Sequence, residues 1–260
     1  MLRRSAPGGD LERGYAGGVA QQTVVRVRRV MTTRAGGRSS APFDSFNLSR
    51  KVGDAPENVD ANRYRLIREL GLRGAVFLDQ VHGTRVATVT APPARSALDV
   101  PDTDAAVTAE PGIALVVLAA DCAPVLLGDP VAGVVGAAHA GRVGAAAGVV
   151  PATVAAMEAL GARIPDIEVL LGPAVCGLCY EVPAAMRAEV ATQLPGSAAR
   201  TRRGTPSVDV RAGLVRQLHD LGVTKVGMDP RCTLEDRTLF SHRRDPRTGR
   251  HAGVTWLDPS

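Results

Sequence analysis

Aromatic side chains are nearly missing from this chain, at 3% of 260 residues. The core must therefore be built mainly from Ala, Val and Leu. A stacking platform for single-stranded nucleic acid, which needs exposed aromatic faces, is not expected. Cysteine is scarce as well. Four thiols in a chain of this size do not make a disulfide scaffold, and the expectation is reduced thiols and a cytoplasmic location. The two arginines near the N-terminus are followed by no apolar stretch, so no secretory signal is expected there. Apolar runs such as Ile113 to Ala120 fall short of the about 20 residues that cross a bilayer, so no membrane partner is expected. The formal charge is +5, but the arginines are scattered rather than gathered into a face for nucleic acid. They read as a solvated surface, with no nucleic-acid partner.

What is present is an ordinary globular balance, 45% hydrophobic and 22% charged. Residues 1–21 are rich in Gly, Arg and Ala without periodicity and are expected to form a flexible tail. Residues 22–260 contain no repeat and no Pro/Ser linker, which predicts a single domain, with a monomer as the default oligomeric state. Thr23 to Val30 alternates apolar and basic residues, as a half-exposed strand does. Val59, Leu66, Ile67 and Leu70 share one helical face, and Gly71 stops that helix. Strand-like segments flank His82-Gly83. The buried strands I-A-L-V-V-L-A-A and V-A-G-V-V-G-A-A are separated by D-C-A-P-V-L-L-G-D-P, read as a connection. Helices are predicted at Ala152–Leu160, Pro183–Leu194 and Val210–Leu221, and short strands at Ile167–Gly172 and in T-K-V-G-M. Strands and helices do not alternate strictly. The predicted class is therefore α+β, a mixed β-sheet core flanked by helices in an α/β/α sandwich-like arrangement.

Three residues stand at the ends of apolar runs and are followed by turn residues: His82 in Q-V-H-G, Cys122 in A-D-C-A-P and His139 in H-A-G-R-V-G. Two imidazoles and a thiolate suit zinc and leave a fourth position open for water or substrate. Spacing alone does not fix this set, and each residue also reads as an ordinary strand-end His or a small buried Cys. The glycines at 141, 144 and 148 fit neither the phosphate-loop nor the dinucleotide pattern. The stretch from His139 is read as a strand end followed by a small-residue turn. Cys176-x-x-Cys179 has no second C-x-x-C to complete a zinc knuckle. With only Cys232 as a further thiol, a reduced, partly buried pair is expected.

Taken in order, Q-V-H-G-T-R-V, A-D-C-A-P-V-L-L, H-A-G-R-V-G, G-P-A-V-C-G-L-C-Y-E-V and F-S-H-R-R-D-P-R-T-G-R resemble the blocks of the YfiH family. That family is also called the multicopper polyphenol oxidase or laccase domain family. F-N-L and V-G-D-A-P-E-N-V-D-A-N-R resemble its N-terminal block, so the likeness runs from about residue 25 to the end. It implies an α+β fold and a metal site of His82, Cys122 and His139, holding zinc, with copper as the alternative in the same site. It also implies phosphorolysis of adenosine, inosine or methylthioadenosine, and adenosine deamination. The partners would then be a purine nucleoside and phosphate. Arg63, Arg243 and Arg244 are candidates to hold phosphate and stabilise charge in transit, although surface or ion-paired arginine is the plainer reading. Asp121 is either an orienting or basic group or a strand-end cap. Asn47, Gln80 and Arg142, which stand in the resembling blocks, are candidates for substrate contact. Two positions depart from the family pattern: Arg142-Val143 replaces Trp-Arg in H-A-G-W-R-G, and His242 replaces Tyr in F-S-Y-R-R. Other readings are copper-dependent phenol oxidation, hydrolytic editing of peptidoglycan precursors, and a non-catalytic nucleotide-binding or cell-division partner. A multicopper centre needs many imidazoles, and five scattered histidines do not furnish one.

Overall fold

Two stacked β-sheets, each covered on its outer face by helix, make up the protein in a computed structural model that describes residues 25–91 and 97–258. The predicted tail, residues 1–21, lies outside the described residues. The strands are β1 (Val27–Met31), β2 (Gly74–Leu78), β3 (Val86–Val89), β4 (Ala97–Val100), β5 (Ala105–Thr108), β6 (Ile113–Ala119) and β7 (Ala123–Asp129). They continue with β8 (Val134–Ala140), β9 (Glu168–Leu171), β10 (Ala198–Arg200), β11 (Pro206–Val208), β12 (Lys225–Met228) and β13 (His251–Leu257). The helices are α1 (Pro56–Glu69), α2 (Arg142–Ala147), α3 (Val149–Ala159), α4 (Ala184–Gln193) and α5 (Val210–Asp220). Among the described residues no helix is long and apolar enough to cross a membrane.

One sheet runs β1-β13-β6-β2-β4 and the other β12-β9-β7-β8-β5-β3, with β10 and β11 as a separate hairpin. Both sheets mix parallel and antiparallel pairs, β2 lying parallel to β6 and β13 antiparallel to it. The mixed α+β class is thus as expected, and the core between the helical layers is a pair of sheets. Period-2 alternation explains how long apolar strands serve both faces. Ile113, Leu115 and Val117 of β6 point between the sheets, where they meet Leu126, Val135 and Ala137. Ala114, Val116 and Leu118 point the other way, onto Leu66 and Ile67 of α1. Val125 and Leu127 of β7 join Val154 and Met157 of α3 and Leu214 and Leu218 of α5.

Two local expectations are corrected. D-C-A-P-V-L-L-G-D-P is not a connection: seven of its residues form β7, which lies between β8 and β9. Pro124 reads as a strand breaker, yet it is the second residue of the strand, and its carbonyl still accepts from Gly172 N–H at 2.7 Å. The stretch after His139 is not only a turn. Gly141 caps the short α2, and Gly148, at φ 95°, divides it from α3.

His251, at the start of β13, is fully buried, and neither ring nitrogen has a hydrogen-bond partner among the described residues. Burial pushes its pKa down to about 4. The unfolded chain takes up this proton near the usual 6.5, the folded chain only near 4. Stability should therefore fall as pH falls between those values and lose nothing further from this group below them. The shift corresponds to about 3 kcal/mol over that window. Urea unfolding of chelator-treated protein at pH 6.5, 5 and 4 should show this loss in the wild type and a loss smaller by that amount in His251→Leu. Equal pH profiles would refute the assignment.

Candidate metal and substrate site

The chain passes from one sheet to the other between β2 and β3 and again between β6 and β7, and each crossing carries one donor. His82 lies in the first crossing, Cys122 in the second, and His139 near the end of β8, directly opposite Pro124 in the β7 ladder. One ligand atom from each of the three lies within 4.8 Å of the others. The two imidazole rings meet edge to face, with centroids 4.8 Å apart.

These donors are held by a carboxylate that sequence reasoning missed. Asp104, fully buried just before β5, accepts the main-chain N–H of Val81 at 3.0 Å, of His82 at 3.0 Å and of Gly83 at 2.7 Å. The same carboxylate lies 2.9 Å from His139 Nδ1. It thus fixes the His82 turn and the tautomer of His139, leaving Nε2 of His139 as the free donor atom. Burial works against the charge on Asp104, but the His139 contact and the amides outweigh it and hold the carboxyl below its usual range. For His139, burial is outweighed by Cys122 and Asp104, and its pKa rises to about 9. His82 is pushed the other way, by burial and by the neighbouring His139.

Backbone strain is concentrated here. Gln80 (φ 50°), His82 (φ 63°) and Asp121 (φ 97°) all adopt left-handed conformations that non-glycine residues rarely take. Gly141 supplies room instead. A Cβ built there would lie 2.4 Å from His82 Nδ1 and 3.1 Å from Cys122 Sγ. A nitrogen, nitrogen, sulfur set with an oriented imidazole and a cleared cradle fits zinc, and copper also favours such a set. Among the described residues no third histidine joins it.

The donor set lies between two cavities, and Cys122 and His242 line both. The larger, about 470 Å³, also receives His82, His139, Gln80 and Arg250. The smaller, about 320 Å³, receives Asp121, Arg142, Tyr180 and Arg243. Arg142, Arg243 and Arg250 have no carboxylate partner among the described residues. Arg243 lies over the Tyr180 ring, 4.6 Å from its centroid. Arg250 is half-buried, and its Nη1 donates to the Thr248 and Gly249 carbonyls. Its place in the sequence, the last residue of R-D-P-R-T-G-R, is the only signal that could have singled it out.

Other predicted contacts are committed to the fold. Arg63 is buried beneath the larger cavity, in a two-pronged pair with Asp99 at 3.0 Å on each arm, a bond to the Leu48 carbonyl and contact with the Phe77 ring. Arg244 donates to the carbonyls of Thr233, Leu234, Asp236 and Leu239 and to Asp245, and lines neither cavity at the donor set. Asn47 is buried and bonds to Ser49, Asp54 and the Arg250 amide. The Gln80 side chain pairs at 2.7 Å with both main-chain groups of Leu118, which leaves it on the wall of the larger cavity. Asp121 accepts from the Thr233 hydroxyl at 2.6 Å and the Arg243 amide at 2.7 Å.

Residues 28–258 match a family described as multi-copper polyphenol oxidoreductase laccase. The chain is 54% identical over 250 residues to a Mycobacterium tuberculosis protein named purine nucleoside phosphorylase, covering 95% of this chain and 97% of that one. It is 57% identical over 229 residues to a Streptomyces griseus protein of the same name, covering 87% and 93%. Among solved structures it resembles YfiH of Bacillus licheniformis, with a TM-score of 0.81 and 30% identity over 89% of this chain and 93% of that one. It also resembles YlmD of Geobacillus stearothermophilus, with a TM-score of 0.81 and 33% identity over 90% and 92%.

Proposed function

We propose, from the premise that this chain belongs to the YfiH, or multi-copper polyphenol oxidoreductase laccase, family, that it is a zinc-dependent enzyme cleaving purine nucleosides with phosphate. The observation that carries this reading is the donor set at the junction of two cavities, each with arginine unpaired by carboxylate. The name borne by the relatives from Mycobacterium and Streptomyces supports it.

In phosphorolysis a phosphate oxygen bonds to C1′ of the ribose as the bond from C1′ to the base nitrogen breaks. The electron pair leaves on the base, which takes up a proton. Adenosine, inosine and methylthioadenosine share that bond. Zinc, when bound, supplies Lewis-acid charge at the junction, held by His82, Cys122 and His139. Arg250 in the larger cavity, and Arg142 with Arg243 in the smaller, are placed to hold an anion through charge-assisted bonds. Asp121 positions Cys122 and Arg243, Gln80 shapes the nucleoside wall, and Arg63 supports the floor through Asp99. Adenosine deamination is the second reading. It is favoured by the donor chemistry: zinc held by His82, Cys122 and His139 would supply activation of water for hydrolysis at C6 of adenosine, with ammonia as the leaving group.

Product chromatography from adenosine, with and without phosphate, tests both. Free adenine that appears only with phosphate supports phosphorolysis, and inosine formed in either buffer supports deamination. Full turnover by metal-depleted His139→Ala, or no turnover by zinc-loaded wild type, would overturn the proposal. Arg250→Ala should keep its zinc and lose about ten- to a hundredfold in phosphate-dependent kcat/KM, the range for a lost charge-assisted bond. An unchanged phosphate dependence would remove Arg250 from the anion site.

A further inference from the structure

A second group of donors gathers away from the His-Cys-His set. Cys176 and Cys179 stand in the segment after β9, and Cys232 and Glu235 in the loop after β12. One ligand atom from each of the four lies within 4.8 Å of all the others. In sequence they form two short-spaced pairs, C-x-x-C and C-x-x-E, separated by 56 residues from Cys176 to Cys232. Neither pair completes a site alone, which is why C-x-x-C reads as an isolated thiol pair in the sequence. The fold supplies what that reading lacked.

The backbone shapes both pairs alike. The amides of Cys179 and Tyr180 turn back onto the Cys176 carbonyl at 2.9 Å each. The amides of Glu235 and Asp236 turn back onto the Cys232 carbonyl at 3.1 and 2.8 Å. A parallel bridge between Ala174 and Cys232 sets the two turns side by side, and the Cys176 amide donates to Cys232 Sγ at 3.4 Å. All four cysteines of the protein are free thiols.

We propose that Cys176, Cys179, Cys232 and Glu235 bind a second zinc ion, in a closed and structural site distinct from the one at His139. Thiolate-rich sets select zinc among the common divalent ions, and four protein ligands leave no open position for chemistry. Three thiolates, a carboxylate and a dication sum to a charge of about −2, by ordinary ligand charges. Arg202 meets that charge, for its guanidinium pairs with Glu235 and lies 3.6 Å from Cys179 Sγ. Ligation displaces the three thiol protons to solvent and leaves every sulfur and the metal in its original oxidation state. The ion ties together two segments that hold the smaller cavity. Val175 donates to the Asp121 carbonyl, the Thr233 hydroxyl donates to the Asp121 carboxylate, and Tyr180 underlies Arg243.

The test is zinc stoichiometry of the full chain with the first set removed by His82→Ala plus His139→Ala. One zinc per chain should remain in that variant, against two in the wild type. Cobalt in its place should give the strong sulfur-to-metal absorption of a multi-thiolate site. Adding Cys179→Ser or Glu235→Gln, which change less buried ligands and leave the buried Cys232 intact, should weaken the remaining zinc by at least about tenfold. No zinc in the double variant would overturn the proposal. So would a native thiol titration of freshly purified protein that finds a disulfide within Cys176, Cys179 and Cys232. Neither result decides the phosphorolysis reading, which is tested separately at the first set.

Discussion

Gly141→Ala should empty the metal site while leaving the fold almost untouched. The backbone at this position, φ −72° and ψ 165°, is one that alanine adopts freely. The added methyl carbon, however, would stand 2.4 Å from His82 Nδ1, 2.8 Å from its Cε1 and 3.1 Å from Cys122 Sγ. Neither neighbour can retreat cheaply. His82 sits in a left-handed turn bound by Asp104, and Cys122 follows Asp121, itself left-handed and bonded on both oxygens. The imidazole must rotate out of its place in the set, so zinc affinity should fall by at least about 100-fold, the upper end of what losing a supporting contact costs. Turnover should fall with it, while the thermal midpoint of the metal-free protein moves little. Gly83→Ala is the matched control, because its methyl would meet Asp104 Oδ2 at an ordinary 3.5 Å. Normal zinc content in the Gly141→Ala variant would show that His82 is not a ligand.

Asp104→Asn should be nearly as damaging at the site and far worse for stability. The carboxylate accepts from three main-chain amides and faces His139 Nδ1, and both Asp104 and His139 are buried. An asparagine side chain has one oxygen, so its amide group must point either at N–H donors or at the imidazole. One or two of the three amides lose their acceptor, depending on which way the side chain turns, at about 1 to 3 kcal/mol each. His139 also loses the partner that selects its tautomer, which costs about ten- to a hundredfold in metal affinity. Denaturant unfolding without metal reads the first effect and zinc titration reads the second. His139→Ala should show the second effect with much less of the first. Equal unfolding midpoints for wild type and Asp104→Asn would mean that the amide cradle contributes nothing.

His82, Cys122 and His139, which the fold brings together, stand out in the sequence because each follows an apolar run and because the surrounding blocks resemble a known family. Helix α1 was legible from its spaced apolar face and from Gly71, which indeed takes φ 65°. Asp104 was not legible. It belongs to an unremarkable P-D-T-D-A stretch, and its role consists of bonds to main-chain groups more than 20 residues upstream. Arg63 is the converse case, a residue at the lining of the larger cavity whose ion pair is invisible in the sequence. Its residue type suggested an anion site, but Asp99, 36 residues later, satisfies it inside the fold. Strand β7 was hidden by Pro124 and by the turn-like D-C and G-D-P ends that bracket it. Cys232 reads as a spare thiol in the sequence because it is the pairing of β9 with β12 that brings it to Cys176.

His82 and Cys122 lie where the chain steps between sheets, and His139 belongs to the second sheet. The site is consequently a gauge of how the sheets are seated on each other. A slip of one strand position, about 3.3 Å, would carry a donor out of coordinating range while most of the apolar contacts between the sheets survived. Metal affinity is then a finer reporter of inter-sheet packing than overall stability is. A changed methyl group on Val117 or Leu126, deep between the layers, should therefore register in metal affinity through the seating of the sheets.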